Sequence, residues 1–309
     1  MLDREQILKN LKMQIKNHRH IFGVVAGNGM TAKYAAKGGA DLILALNSGR
    51  FRQMGNSSLA GFLPFANGND MVMEFGTREI IPAISDIPII FGLCCNDPTK
   101  NLEDYMEEIK NKGFSGINNY PSIGVIDGKL REALEESGLG SQREADAIRI
   151  ARSKNLFTLA FAFDEKQAEQ MAAADPDIMC VNLGLTKGGE FGAKKVLSLE
   201  AGVRLINKIF EISNEFNPDT IKMIYGGPIA TSIDLQYIYD NTKAAGYIGG
   251  SSFDRVPAEE SITIRSMQFK TAGSYKEDTL LQKMLDGVKK HYDYVEFVKE
   301  YVTENYMKE

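Results

Sequence analysis

Residues 222–252 read KMIYGGPIATSIDLQYIYDNTKAAGYIGGSS, and this stretch decides the fold. A short apolar run, Lys222–Tyr225, ends in two glycines and is followed by a segment with helical spacing, Ser232–Asn241. A second apolar run, Ala245–Ile248, again ends in two glycines. Continuous apolar runs, rather than alternating ones, are typical of strands buried on both faces in a parallel sheet covered by helices. The stretch therefore predicts a strand–helix–strand unit.

The same unit recurs along the rest of the chain. Eight short apolar runs are each followed by Gly, Asn or Asp and then by a segment with helical spacing. Eight such units in one chain predict a closed (β/α)8 TIM barrel of the α/β class, preceded by an N-terminal helix. The predicted strands are Ile21–Ala26, Leu42–Leu46, Pro88–Cys94, Gly116–Asn119, Phe157–Phe163, Ile178–Leu183, Lys222–Tyr225 and Ala245–Ile248.

Helical spacing fills the connections between these runs. The connection from Gly128 to Asn155 is long enough for two helices, which separate near Gly138–Ser141. A doubly wound open sheet is the alternative fold, but Gly27-Asn28-Gly29 after the first run does not match the G-x-G-x-x-G loop of dinucleotide-binding sheets. The other predicted helices are Met30–Lys37, Leu102–Lys112, Glu165–Ala174, Leu199–Phe216, Ser232–Asn241 and Glu259–Thr271.

The pattern divides the chain into a barrel domain, residues 1–273, and a C-terminal helical extension, residues 274–309. The extension contains two predicted amphipathic helices, Glu277–Tyr292 and Val295–Tyr306. Their apolar faces pack either against the wall of the barrel or against a neighbouring subunit. A homo-oligomer is therefore one expected state of the protein.

Composition excludes several classes of partner. The 41 acidic residues outnumber the 36 basic ones, which gives no support for a nucleic-acid partner. No apolar stretch approaches the roughly 20 residues of a membrane helix, and the charged N-terminus lacks the apolar centre of a signal peptide. Three cysteines without a C-x-x-C pair fit a reducing compartment. We therefore expect a cytoplasmic protein that binds neither nucleic acid nor membrane.

The ends of the seventh and eighth strands give the clearest indication of a binding site. In a TIM barrel the site lies at the C-terminal strand ends, and phosphate groups often bind between the last two loops. Glycine at these ends lets the backbone approach an oxyanion closely. The sequence therefore predicts an anion site, for phosphate or for a carboxylate or sulfate, formed by Gly226, Gly227, Gly249, Gly250 and Ser251.

The other strand ends are rich in uncharged polar residues. Amide side chains both donate and accept hydrogen bonds, which suits an oxygen-rich ligand. Any single asparagine is explained equally well by a turn or a helix cap. Arg50 follows the second strand and suits bidentate binding of a carboxylate or phosphate, with a surface salt bridge as the alternative. The predicted substrate-binding residues are Asn28, Asn47, Ser48, Arg50, Asn96, Asn118 and Asn182.

Candidates for proton transfer are few. Asp97 and Glu190 are carboxylates near strand ends or in the following loops, and Tyr120 is a candidate proton donor or ring contact. Asp97 also suits the N-cap of the next helix, which is the structural alternative. We expect the segments Thr186–Gly192 and Ser57–Asn69 to act as mobile lids over the site.

The distribution of histidines excludes other chemistries. His18, His20 and His291 all lie far from the predicted strand ends. The sequence therefore predicts neither a histidine base nor a histidine-based metal site.

Several longer runs of the sequence resemble a known family. Their order and spacing are similar to the TIM-barrel family labelled phosphoenolpyruvate hydrolase-like, whose barrel also forms part of plant tobamovirus-resistance proteins. The family is distantly similar to phosphoenolpyruvate mutase and isocitrate lyase barrels. The runs are Ala26–Lys33, Ala40–Ile43 through Asn47–Arg50, Ser58–Pro64, Gly124–Gly128, Gly184–Gly189 and Gly249–Ser252.

This resemblance implies a function for the strand ends. The mutase and lyase barrels bind an oxo-carboxylate through Mg²⁺ held by carboxylates, and Asn47-Ser48-Gly49 matches the substrate-binding turn after their second strand. Mg²⁺ is therefore the cofactor that the resemblance suggests, although Asp97 has few acidic neighbours in the sequence. The implied function is a lyase or hydrolase acting on a small phosphorylated or oxo-carboxylate metabolite such as a phosphoenolpyruvate-like compound. A non-catalytic barrel that senses a ligand or binds a protein is the alternative.

Overall fold

The computed structural model of the chain describes residues 2–271 and the separate positions 286, 287, 289, 290 and 293. Eight parallel strands close into a barrel in chain order, and the eighth strand pairs with the first. This topology confirms the predicted TIM barrel. The strands are β1 (Ile21–Ala26), β2 (Leu42–Ala45), β3 (Ile89–Gly92), β4 (Gly116–Asn118), β5 (Phe157–Ala162), β6 (Ile178–Asn182), β7 (Ile221–Tyr225) and β8 (Gly246–Gly249).

Five of the predicted strands, those corresponding to β2, β3, β4, β5 and β6, run one or two residues past the C-terminal ends of the observed strands. The apolar run Pro88–Cys94 is longer than β3, yet Leu93 beyond the end of β3 is fully buried. An apolar run reports buried backbone, whether or not that backbone is paired with a neighbouring strand.

Helices follow the strands as predicted, and the long connection between β4 and β5 contains two of them. Short helices after β2 and β8 were not predicted from the spacing. The helices are α1 (Arg4–Lys16), α2 (Gly29–Lys37), α3 (Asn47–Gln53), α4 (Gly68–Phe75), α5 (Leu102–Asn111), α6 (Gly128–Glu136), α7 (Ser141–Ser153), α8 (Glu165–Ala173), α9 (Leu199–Phe216), α10 (Ser232–Asn241), α11 (Ser251–Asp254) and α12 (Val256–Thr271). Short 3₁₀ helices span Ser58–Phe62, Ile81–Ala83 and Ile123–Val125, and a π-helix spans Gly76–Ile80.

Large apolar side chains fill the interior of the barrel. Leu44, Ile90, Phe161 and Met223 point inward from four strands and belong to one buried cluster. Successive strand residues face opposite sides of the sheet, so the residues between them pack against the surrounding helices in a second cluster. The barrel is therefore a packed core and not a pore.

Helix α1 closes the N-terminal end of this interior. Its first turn carries a capping box, in which Asp3 and Gln6 satisfy each other's backbone N–H groups. Ile7 and Leu11 are buried and join the interior cluster with Ile21. The N-terminal end of the barrel interior is therefore covered by α1.

The chain divides into two units, Met1–Val256 and Pro257–Glu309. The first contains the barrel. In the second, the structure describes most of α12, on which Ile262 and Phe269 are exposed. The predicted tail helices Glu277–Tyr292 and Val295–Tyr306 lie outside the described residues, apart from a few isolated positions. Within the part of the chain that is described, no helix combines the length and the apolar character needed to cross a membrane.

Candidate functional site

A small cavity lies at the C-terminal end of the barrel, where the sequence predicted the site. Its volume is about 20 Å³, enough for about one water molecule. In this conformation the mouth of the barrel is closed. The cavity is lined by Ser58, Phe62, Tyr120, Val125, Asn182, Gly184, Leu185, Thr186, Tyr225 and Ser251.

Arg52 and Asp254 form a buried ion pair next to this cavity. Arg52 Nε donates to both carboxylate oxygens of Asp254 at 2.8 Å, and Nη2 lies 2.7 Å from Oδ2. Arg52 Nη1 donates to Ser58 Oγ at 3.0 Å. The two charged side chains are 1% and 0% exposed. The guanidinium is therefore fixed in position by one contact to α11 and one to the segment that follows α3.

One guanidinium nitrogen retains an unused N–H donor. Arg52 Nη2 carries two N–H groups and pairs with Asp254 Oδ2 at 2.7 Å, but among the described residues no further acceptor binds it. A Cβ added to Gly250 would lie 3.6 Å from Nη2 and 2.6 Å from the Tyr225 hydroxyl. The donor therefore lies beside Gly250 and Tyr225, where it can bind an oxygen of a ligand.

Arg50, the arginine assigned to the substrate by the sequence, lies elsewhere. It pairs with Glu79 at 3.2 Å, and its guanidinium carbon lies 5.9 Å from the centre of the Phe75 ring. Arg50 and Arg52 both belong to α3, and two residues correspond to a rotation of about 200° around a helix. Their side chains consequently leave opposite faces of α3. Arg52 occupies the place next to the mouth that was expected for Arg50.

Tyr120 and Tyr225 bring two phenol groups to the mouth. Burial raises the pKa of both hydroxyls, while Arg52 opposes the rise in each case and Ser48 also opposes it for Tyr120. Both rings contact Phe161, with centroid distances of 6.1 Å and 5.2 Å. Both hydroxyls are therefore protonated at neutral pH and able to donate a hydrogen bond. The assignment of Tyr120 as a proton donor stays a prediction.

The glycines after β7 and β8 serve packing as well as the site. Gly226 and Gly227 have φ angles of 71° and 61°, and a Cβ on either would lie within 2.5 Å of residues 183–184. A Cβ on Gly249 would lie 2.0 Å from the Phe253 ring. Of the five residues predicted to bind phosphate, Gly250 borders Arg52 Nη2 and Ser251 lines the cavity.

The predicted polar residues lie in three different settings. Asn28 is the N-cap of α2, and its Oδ1 accepts the N–H of Thr31 at 2.8 Å, which is the structural alternative. Asn182 lines the cavity, and its Oδ1 accepts the N–H of Gly184 at 3.0 Å. The other members of the set are buried or half-buried at the ends of β2, β3 and β4, namely Asn47, Ser48, Asn96 and Asn118.

The predicted lid Ser57–Asn69 is a folded segment that is fastened over the mouth. Its 3₁₀ helix places Phe62 edge-on against the ring of Tyr120, with 5.4 Å between centroids. Asn47 Nδ2 donates to the carbonyl of Gly61 at 2.9 Å, and Arg52 holds Ser58. Residues 57–69, the lid, close the mouth through these contacts.

Asp97 fastens the far end of the lid. Its Oδ2 accepts Nδ2 of Asn67 at 2.8 Å and of Asn69 at 3.1 Å, and its Oδ1 accepts the N–H and the hydroxyl of Thr99. Burial acts to raise the pKa of Asp97, but these hydrogen bonds lower it to about 2. A carboxylate of this kind stays ionised at neutral pH with its oxygens engaged, which favours a latch over the proton-transfer role that the sequence suggested.

Glu190, the other predicted acid–base residue, is exposed in the loop after β6. It is not one of the residues that line the cavity. That loop is held in place from the barrel side, where Arg255 donates to the carbonyl of Gly188 at 2.9 Å. The role of Glu190 in proton transfer stays a prediction.

Replacing Asp97 with asparagine is expected to loosen the lid. The amide would place an N–H group against donors that need an acceptor, at a cost of about 1–3 kcal/mol. Hydrogen exchange of lid amides should then become about ten times faster or more. Asp70→Asn is the matched control, because Asp70 pairs with Lys100 on an exposed surface. Equal exchange in the two variants would contradict the latch.

The chain is similar to known proteins along most of its length. The family model for phosphoenolpyruvate hydrolase-like proteins matches residues 6–272. The chain belongs to the phosphoenolpyruvate hydrolase-like family. It is 38% identical over 266 residues to the ToMV susceptible protein tm-1(GCR26) of Solanum lycopersicum, covering 86% of this chain and 35% of that protein. It is 37% identical over 275 residues to the protein y4pA of Sinorhizobium fredii, covering 89% of this chain and 45% of that protein. The chain thus spans less than half the length of these curated relatives.

Solved structures confirm the fold of this family member. Phosphonopyruvate hydrolase, solved in complex with oxalate and Mg²⁺, superposes with a TM-score of 0.56 at 12% identity over 98% of this chain and 99% of that one. The 2,3-dimethylmalate lyase, a member of the phosphoenolpyruvate mutase/isocitrate lyase superfamily, superposes with a TM-score of 0.54 at 13% identity over 96% and 99%. At these identities the likeness shows the barrel fold and nothing finer.

The donor groups at the strand ends do not suit the Mg²⁺ that the resemblance implies. Mg²⁺ in proteins is usually bound through carboxylate oxygens. The oxygens of Asp97 already accept four hydrogen bonds, and those of Asp254 are held by Arg52. Within residues 2–271 and the few positions described beyond them, no three His, Cys, Asp or Glu side chains come together as a metal site.

The residues of the buried ion pair and its contact to the lid were not found from the sequence. Arg52, Ser58 and Asp254 lie in helices that follow the strands, several residues beyond the strand ends at which site residues were sought. The contact between Arg52 and Asp254 joins segments 202 residues apart, and Ser58 belongs to the site through its hydrogen bond with Arg52. The usable signal was the presence of two arginines on one short helix, of which only one side chain points toward the barrel.

Proposed function

We propose that the chain is an enzyme of lyase or hydrolase type that binds a small phosphorylated or oxo-carboxylate metabolite in the mouth of its barrel. The observation that supports this proposal is the buried guanidinium of Arg52, which has an unused N–H donor beside Gly250 and Tyr225. A guanidinium is well suited to carboxylate and phosphate oxygens. Family membership supports the class of reaction.

Different residues around the mouth would bind the metabolite and stabilise the charge that develops on it. Arg52 would bind an anionic oxygen of the metabolite through Nη2, while Gly250 leaves room for it. The hydroxyls of Tyr120 and Tyr225 would donate hydrogen bonds to an oxygen on which negative charge develops. Fixed donors in a water-excluded site stabilise such charge strongly. Asp254 would keep Arg52 in place.

The lid would control entry. In the closed conformation Ser58 Oγ accepts the hydrogen bond from Arg52 Nη1, and the ring of Phe62 packs against Tyr120. A metabolite would enter when these two contacts open, and closure would then exclude water from the bound ligand.

The test is thermal unfolding in the presence of phosphorylated and carboxylated metabolites and their dephosphorylated counterparts, with and without Mg²⁺. A ligand at about 100 times its Kd adds about 2.7 kcal/mol to the stability, which raises the Tm by several degrees. Each compound that raises the Tm would then be incubated with the protein and analysed for product. If no anion raised the Tm, the proposal would be wrong.

Paired arginine variants locate the site. Arg52→Lys keeps the positive charge next to Asp254 but removes the planar fork, so it should weaken anion binding by at least about tenfold. Arg50→Lys is the control, since it alters an arginine of the same helix that pairs with Glu79. Equal weakening by both variants, or by neither, would place the anion elsewhere.

A ligand-sensing barrel is the second candidate, and the state of Asp97 favours it. With its pKa lowered to about 2 and its oxygens engaged, Asp97 is a poor proton carrier at neutral pH. A related tomato protein carries the name ToMV resistance protein Tm-1(GCR237), which does not describe an enzyme. A metabolite that raises the Tm and is recovered unchanged after long incubation would support this second candidate.

A further inference from the structure

Among the described residues, the side-chain oxygens of Asn47, Asn96 and Asn118 have no hydrogen-bond partner, and Asn47 and Asn118 are the two of these residues that are buried. Among the described residues, no donor reaches Asn47 Oδ1 or Asn118 Oδ1, although the residues are only 2% and 0% exposed. Buried polar atoms are nearly always paired, so each exception calls for an explanation.

The identity of these oxygens as acceptors is fixed by their neighbours. Asn47 Nδ2 donates to the carbonyl of Gly61, and Asn118 Nδ2 donates to the carbonyl of Leu159, both at 2.9 Å. Turning either amide around would place an oxygen against a carbonyl oxygen, which is unfavourable. Both unpartnered atoms are therefore acceptors, and each needs a donor.

Both acceptors lie close to the residues of the proposed site. Asn118 is in register with Leu159, an inward-facing residue of the barrel, and precedes the inward-facing Tyr120 by two positions. Paired residues of neighbouring strands point to the same side of the sheet. Asn47 lies under the lid, where a Cβ on Gly61 would be 3.0 Å from its Oδ1. Opening the lid would expose this oxygen.

We infer that the ligand of this mouth carries a hydroxyl group in addition to its anionic group, and that Asn118 and Asn47 select it by accepting hydrogen bonds. This inference rests on the proposed function and narrows its substrate to a hydroxylated phosphate or carboxylate. Phosphoenolpyruvate and oxalate are largely ionised at neutral pH and offer mainly acceptors. They would satisfy Arg52 and leave the two amide oxygens unpaired.

The two amide oxygens affect discrimination between ligands more than affinity for any one of them. A site that hydrogen-bonds a hydroxyl of its ligand rejects the analogue that lacks the hydroxyl, because the buried acceptor is then left unpaired. The mouth thus combines a donor for the anion with acceptors for the hydroxyl. Asn118 and Asn47 are specificity-determining residues in this scheme.

Matched ligand pairs test the inference by calorimetry on the full chain. Glycerol 3-phosphate is compared with propyl phosphate, and malate is compared with succinate, so that each pair differs by hydroxyl groups alone. In at least one pair the hydroxylated member should bind at least about tenfold more tightly. The pair that shows this preference tells whether the anion is a phosphate or a carboxylate.

Variants assign the preference to the two amides. Leucine has the same number of side-chain heavy atoms as asparagine and the same branching at Cγ, but it lacks the amide. Asn118→Leu and Asn47→Leu should therefore each reduce the preference toward onefold while the anion still binds. Two variants are used so that a failure of one to fold leaves the other. Asn241→Leu is the control, since Asn241 is exposed and its Nδ2 donates to the carbonyl of Tyr237 in the same way.

The outcomes separate this inference from the function on which it rests. Equal binding of both members in each pair would overturn the inference while the anion site stands. A preference that persists in both leucine variants would also overturn it. If no member of either pair binds and Arg52→Lys changes nothing, the anion site itself is wrong and the inference falls with it.

Discussion

Replacing Asp254 with asparagine is expected to lower the free energy of unfolding by about 3–5 kcal/mol. The change removes the carboxylate that accepts Arg52 Nε and leaves a guanidinium buried without a counter-charge. Water cannot replace the carboxylate, because the side chains of both residues are at most 1% exposed. The loss would include the cost of an unpaired buried charge in addition to the loss of the pair itself.

Chemical denaturation of the wild type and the variant measures this effect. Glu74→Gln is the control, since it breaks the pair between Glu74 and Arg78, whose side chains are 70% and 76% exposed. Exposed pairs of this kind contribute about 1 kcal/mol or less. The double variant Arg52→Met/Asp254→Leu removes both charges and should recover most of the lost stability. A loss below 1 kcal/mol for Asp254→Asn would show that the pair is hydrated in solution.

The fold was predictable from the sequence because it depends on local patterns. Eight apolar runs, each followed by a turn and a helical segment, are sufficient to indicate a parallel barrel. The same patterns placed Tyr120, Asn182 and Ser251 at the C-terminal strand ends, and all three line the cavity. These residues lie on strands or directly after them, where a position in the sequence translates into a position at the mouth.

The rest of the site was not predictable, because it depends on contacts across long stretches of chain. The sequence favoured Arg50 over Arg52, and only the rotation around α3 tells which side chain reaches the mouth. Asp97 was chosen as an acid–base residue for its position after β3. Its role as a latch depends on Asn67 and Asn69, which come from the lid. Helix phase and lid docking are tertiary features that a strand-end pattern does not contain.

A second buried carboxylate, Glu144 of α7, supports the loop after β4. Its Oε1 accepts the N–H of Ile123, and its Oε2 accepts Nδ2 of Asn119 and the hydroxyl of Ser122. Gln167 Nε2 approaches the same oxygen at 3.3 Å. Glu144 itself is fully buried. The loop that it holds begins directly after Tyr120, so the ionisation of Glu144 is linked to the wall of the mouth.

Burial raises the pKa of Glu144 to about 7, although the surrounding hydrogen bonds act to lower it. The native state therefore binds this proton more tightly than the unfolded state, in which the carboxyl has its ordinary pKa of 4.5. The stability contributed by the proton is fully present below pH 4.5 and is lost as the pH rises through 7. Each pKa unit corresponds to about 1.4 kcal/mol, so the loss amounts to about 3 kcal/mol.

Glu144→Gln should remove this pH dependence. Glutamine is neutral like the protonated acid, but its amide N–H groups would face the groups that donate hydrogen bonds to Glu144. The substitution should therefore lower the free energy of unfolding by about 1–3 kcal/mol at pH 5. The variant has no proton to lose, so in urea unfolding its stability relative to the wild type should rise by about 2.5 kcal/mol between pH 5 and pH 8. At pH 8 it should be about as stable as the wild type, or more stable. Glu135→Gln is the control. Although partial burial opposes it, hydrogen bonds from Arg131 and Ser141 lower the pKa of Glu135. Glu135 therefore titrates below pH 5. The difference in free energy of unfolding between the wild type and Glu135→Gln should stay constant from pH 5 to pH 8. A constant difference for Glu144→Gln as well would mean that Glu144 stays ionised in the native state throughout, with its three short hydrogen bonds outweighing burial.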